Sequence, residues 1–151
     1  MKWAASGTRP PPDDFAPHEV RYMCSVLLNY LDPGDEFGCG GCVGVDAELF
    51  DAVVRYNDML ARPVRLVLWL PANKRQVVHR LIELADEVHD DGWGYLERDQ
   101  LLVDWCDRML AFPLHEEARQ PRSGTWATVR MARRAYKLRQ ALVLRPAPAE
   151  T

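Results

Sequence analysis

Two cysteines three positions apart, Cys39 and Cys42 in Cys39-Gly40-Gly41-Cys42, are the residues best spaced to hold a metal ion. Thiolates at this spacing can chelate one ion, and the glycines between them let the backbone wrap around it. A structural zinc site takes four ligands, and the sequence offers no second Cys-x-x-Cys and no His-x-x-x-His to complete one. Cys24 and Cys106 do not fill the gap. Each falls on the apolar stripe of an expected helix, where free cysteine packs as a small hydrophobe. The alternative is a flexible glycine loop carrying two incidental thiols. A redox dithiol normally opens directly onto a helix, whereas Val43-Gly44-Val45 intervenes here.

A second chemical feature is charge. The net charge is −3, but residues 1–120 carry 12 basic and 21 acidic side chains, whereas residues 121–151 carry seven basic and one acidic. Trp126, Arg130, Arg133, Arg134, Lys137 and Arg139, interleaved with apolar residues, read as the working surface of a basic amphipathic helix. Such a helix can dock in an acidic apolar groove of a protein partner or of its own body. It can also neutralise nucleic-acid phosphates. The third reading is the last helix of a bundle with its arginines in water.

Catalytic signatures are missing. There is no G-x-G-x-x-G, P-loop, G-x-S-x-G or H-E-x-x-H, and the histidines at 18, 79, 89 and 115 are scattered. A non-enzymatic protein is expected.

The elements that must position these residues come from hydrophobic periodicity. Val20, Met23, Cys24, Leu27, Leu28 and Leu31 recur as on one face of a helix over 18–31, with Pro17 in its first turn. Asp46 caps a second helix that buries Leu49, Phe50, Val53, Val54 and Leu60. The apolar run 64–70 suits either a buried strand or a linker. Asn73 with Gln76 resembles a capping box before a third helix to Val88. Leu101, Leu102, Trp105, Cys106, Met109 and Leu110 mark a fourth. Ser123 caps a fifth, basic helix from about 125 to 144. The expectation is an all-α or α-dominated fold of four to five helices. Residues 1–16 form an irregular Pro-rich arm, 17–145 one helical domain, and 146–151 a flexible tail.

Residues 86–101, including His89, Asp91, Gly92, Gly94, Tyr95 and Leu96, resemble the loop of an EF-hand. With His89 as first position, Asp91 is third, Gly94 sixth at the sharp bend, and Leu96 the apolar eighth. His89 replaces Asp at the first position and Gln100 replaces the bidentate Glu at the twelfth, so the resemblance implies the architecture without calcium. Paired EF-hand loops lie side by side. The resemblance therefore implies that His89 and Asp91 approach Cys39 and Cys42, as a Cys/Cys/His/Asp zinc site.

At 151 residues the chain suits a single domain, and no segment reaches the ~18–20 apolar residues of a membrane span. No signal core follows Met1, so the cytoplasm is expected. These readings converge on a small regulatory protein that binds another protein through the basic C-terminal helix. Nucleic-acid binding by the same arginines, or a zinc sensor or enzyme at Cys39 and Cys42, are the alternatives.

Overall fold

The computed structural model describes residues 1–8 and 15–145. Strands and helices alternate along it. In chain order they are β1 (Lys2–Gly7), α1 (Pro17–Tyr30), β2 (Glu36–Cys39), α2 (Val45–Asn57), β3 (Arg65–Trp69) and α3 (His79–Leu84). Then come β4 (Glu87–His89), α4 (Tyr95–Trp105), β5 (Arg108–Phe112), α5 (Gly124–Arg134) and β6 (Leu138–Ala141). The strands form one six-stranded sheet in the order β4-β3-β2-β1-β5-β6, every neighbouring pair parallel. The fold is α/β, not the all-α bundle that helical periodicity suggests.

Burial on both faces explains the sheet and why its strands escape a period-two search. In β1, Trp3 and Ala5 pack with α1 and α2, while Ala4 packs with α4 and α5. In β3, Leu66 and Leu68 join the first cluster and Val67 and Trp69 the second. A strand covered on both sides reads as a continuous apolar run, and the segment 64–70 is this strand. β1 hides for another reason. Its small residues leave no hydrophobic signature, so the segment that reads as an irregular arm supplies the central strand. The remainder of that arm, residues 9–14, and the tail 146–151 lie outside the described residues.

Other sequence expectations are corrected at their ends. The helix expected to reach Val88 is only His79–Leu84, and Glu87–His89 is an edge strand. The fourth helix stops at Trp105, and Met109 and Leu110 lie in β5. The basic helix ends at Arg134; Tyr136 takes a positive φ of 57°, and the chain re-enters the sheet as β6. Residues 86–101 are not an EF-hand, because Glu87–His89 at their start is a strand of the parallel sheet.

The chain builds outward from β1 through β2 and β3 to β4, then returns across the sheet to place β5 on the other side of β1. Helices α1 and α2 pack on one face and α4 and α5 on the other, the arrangement that crossovers of a single hand produce when the chain reverses direction across the sheet. The strand order reverses at β1 and β5. In open α/β sheets this switch point leaves a crevice outside the carboxyl ends of the strands.

The start of α2 presses against the end of β1. A Cβ added at Gly7 would lie 2.3 Å from both Cβ and Cγ1 of the fully buried Val45. Gly7→Ala is expected to destabilise the protein by about 1–3 kcal/mol. Thermal unfolding followed by circular dichroism should show a midpoint lowered by roughly 3–10 °C.

Candidate ligand-binding crevice

A cavity of about 190 Å³ opens at this switch point, lined by Ser6, Gly7 and Thr8 of β1 and its loop, Gly40, Asp46, Arg98, Asp99 and Ser123–Thr125. Four elements bring these groups together. β1 ends beneath it, the β2–α2 turn and the first turn of α2 form one wall, α4 a second, and the start of α5 a third.

The wall on the β2 side is built around Arg98, which is only 4% exposed. Its Nε donates to Asp99 Oδ1 at 2.7 Å. Its Nη1 donates to the carbonyl oxygens of Gly40 at 3.1 Å and Trp69 at 3.0 Å. Burial alone lowers the pKa of a guanidinium, but the carboxylates of Asp99 and Asp46 outweigh it and hold Arg98 above its ordinary value. Gly40 is required by this approach, since a Cβ there would stand 2.3 Å from Arg98 Nη1. Asp46 Oδ2 accepts from the Cys42 amide at 3.3 Å, closing the turn into α2. The N-cap of α2 is Gly44 at φ 96°, and Asp46, the cap expected from sequence, sits inside the first turn.

The β5 side is a helix N-terminus. Ser123 is the N-cap of α5, as its position in the sequence indicates, and its Oγ accepts from the Trp126 amide at 3.1 Å. The first amides of a helix have no acceptor within it. Those of α5 belong to Gly124 and Thr125, which line the crevice. With the helix dipole they give this end a partial positive charge. Nothing lies within 4 Å of the position a Cβ would take on Gly124.

The residues singled out from sequence fall elsewhere. Cys39 and Cys42 are buried, with Cys39 Sγ 4.0 Å from the Asp46 carbonyl oxygen and Cys42 Sγ 3.8 Å from that of Gly40. Burial, with the Asp46 charge added, pushes the Cys39 thiol well above its ordinary value, and burial pushes Cys24 and Cys106 up to about 11. Cys24, Cys39 and Cys106 are packed thiols, not thiolates. His89 is not beside them. It lies on β4, two strands from Cys39 and so about 10 Å away. There it stacks on Trp69 at 3.8 Å and contacts Glu87 at 2.9 Å. Asp91 is exposed in the loop beyond β4. Among the described residues no group of three or more His, Cys, Asp or Glu side chains is placed to hold a metal ion.

The basic segment is largely engaged with the protein itself. Trp126 is buried and donates through Nε1 to the His115 carbonyl oxygen at 2.8 Å. Arg130 and Arg133 both reach Glu117, at 2.9 and 3.5 Å. Lys137 Nζ caps the end of α4 on the carbonyl oxygens of Val103 and Asp104, each at 2.9 Å. Arg139 lies 5.2 Å over the ring of Tyr30. Arg134 is exposed. This geometry overturns the reading of a continuous basic helix offered to a protein partner. Sequence reasoning passed over Ser6, Gly7, Thr8, Arg98, Asp99 and Thr125. The legible trace of the site was two glycine-bearing turns, at 38–44 and 123–124, each opening a helix.

Replacing Arg98 by Met leaves Asp99 and Asp46 buried without their cation, at an expected cost of about 3–5 kcal/mol. Arg80→Ala, which breaks an equally short but exposed pair with Asp51, should cost no more than about 1 kcal/mol. Urea denaturation of the two variants side by side measures the difference.

Comparison with solved structures agrees with this architecture. The chain resembles the X-ray structure of TM1055, a structural-genomics target, with a TM-score of 0.64 and 17% identity over 91% of this chain and 71% of that one. It also resembles DNA processing protein A from Helicobacter pylori, described for its single-stranded DNA binding mode. There the TM-score is 0.59 at 18% identity, over 91% of this chain and 63% of the other, so the chain spans less than two thirds of that protein. No protein-family model and no curated protein matches the sequence. Among the described residues no helix is long and apolar enough to cross a membrane. At these identities the likeness shows the fold, a Rossmann-like parallel α/β sheet.

Proposed function

We propose that the switch-point crevice binds a phosphate-bearing small ligand of the nucleotide class. The observation that carries this reading is the start of α5, where Gly124 and Thr125 open into the cavity beside the end of β1. Helix N-termini at the carboxyl edge of a parallel sheet are ready-made phosphate sites, combining amide donors with the dipole. The ligand's polarity follows from the two walls. Asp46 and Asp99 flank Arg98 towards β2 and repel an anion, so the phosphate lies against α5 and the sugar towards Arg98. Ser6, Thr8 and Thr125 line the space between. About 190 Å³ accommodates a phosphoryl group and little more than its sugar, leaving a base at the rim.

The reading is of binding without turnover. Among the described lining residues Asp46, Arg98 and Asp99 alone carry acidic or basic side chains. Arg98 and Asp99 are bonded to each other. A second reading is single-stranded nucleic acid, and the likeness to DNA processing protein A favours it. It uses the same phosphate chemistry over more contacts, so its affinity falls faster with salt.

Gly124→Asp separates the site from the fold. Nothing crowds that position, and an acid in the first turn of a helix stabilises it by about 0.3–1 kcal/mol. The variant should therefore melt no lower than the parent, yet bind adenosine 5′-monophosphate at least about 100-fold more weakly, on the scale set by close like charges in a partly enclosed site. Titration calorimetry with the nucleotide, with adenosine and with a twelve-residue oligothymidylate distinguishes the readings. Equal binding of adenosine and the nucleotide would refute the phosphate site. An oligonucleotide that binds far more tightly, with a steep salt dependence, would favour the second reading.

A further inference from the structure

The β5–α5 loop that delivers Ser123 to the crevice is turned on itself by backbone bonds from Arg119 and Gln120 to the Glu116 carbonyl oxygen and from Ser123 to that of Gln120. Residues 118–122 are all exposed. What ties these turns to the rest of the protein is the outer face of the helix they lead into. Glu117 accepts from Arg130 Nη1 at 2.9 Å and pairs with Arg133 at 3.5 Å. The other arm of Arg130 donates to the Pro121 carbonyl oxygen, also at 2.9 Å. Trp126 donates to His115 at the base of the loop, and Arg133 lies 6.0 Å over the Trp126 ring. The loop is thus folded back on α5 from both ends, and its last residue is the N-cap.

We infer that Glu117 is a positioning residue for the phosphate site. With Arg130 and Arg133 it forms a strap that fixes the loop and presents the Gly124 and Thr125 amides in one orientation. The inference rests on the reading of the crevice as a phosphate site and gives the basic segment a role within the chain. A preorganised site spends less of its interaction on ordering the loop when the ligand arrives. The strap touches no ligand. It acts through Ser123 and the first turn of α5.

The test uses the full chain and its Glu117→Ala and Glu117→Asp variants. Hydrogen exchange without ligand is read at the Ser123, Trp126 and Ala127 amides, which are hydrogen-bonded to Gln120 O, Ser123 Oγ and Ser123 O, and binding of adenosine 5′-monophosphate is read by calorimetry. Glu117→Ala should speed exchange at those amides selectively and weaken binding about three- to tenfold, the scale that two partly exposed ion pairs supply. Glu117→Asp should recover part of both. Unchanged exchange and affinity would overturn the strap, and so would faster exchange spread evenly over the chain, the mark of general destabilisation. Tighter binding in Glu117→Ala would also overturn it, since freed arginines would then be acting as ligand groups. If the parent binds no phosphate ligand, the proposed function falls, while the exchange data still decide whether the loop is strapped.

Discussion

Arg98 reaches from α4 across the top of the sheet and donates to the carbonyl oxygens of Gly40 and Trp69, the chain positions just beyond β2 and at the end of β3. A guanidinium at this depth cannot shed its proton, so its charge must be matched and its donors satisfied. Asp99, Asp46 and two strand-end carbonyls meet that requirement. The constraint spreads outward. Gly40 must lack a side chain because Arg98 occupies that space. The β2–α2 turn must bring Asp46 within reach. α4 must begin where its first turns can lay Arg98 and Asp99 over the sheet. One buried cation thus sets the register of a helix against two strands and builds one wall of the crevice.

The opposite wall works on a different principle, with no buried charge. A serine cap, a glycine with open space around it and a buried threonine leave the first amides of α5 at the cavity. The sheet order places the two walls on either side of β1, whose small residues let the helices approach closely. Charge on one side and dipole on the other give the crevice a direction, which a ligand with an anionic end and a hydroxylated end would match.

Helices α1 and α2 were legible in the sequence because they lie on the surface, where one wet face imposes the 3.6-residue period. The strands were not. β1 is alanine and serine between a tryptophan and a glycine, and β3 is apolar from Leu66 to Trp69, so neither alternates. Val88 and Leu138 continue the helical spacing of the segments before them, which made one long helix out of α3 with β4 and another out of α5 with β6. The site was half visible. The glycines at 38–44 and the cap at Ser123 stood out, but a switch point is a property of strand order, and nothing in local periodicity encodes that order. Arg98 looked like one charge among many, and only the packing shows it buried. The cysteines drew attention by type, yet their chemistry is suppressed by the same burial that makes them useful as core.

The measurement that bears most directly on this account is a ¹⁵N–¹H NMR titration of the full chain with adenosine 5′-monophosphate. The account predicts shifts concentrated at the amides of Gly7, Thr8, Gly40, Gly124 and Thr125, with the outer face of α5 and the β4 edge unmoved. Shifts confined to the arginines of α5, or a spectrum unchanged at millimolar nucleotide, would contradict it.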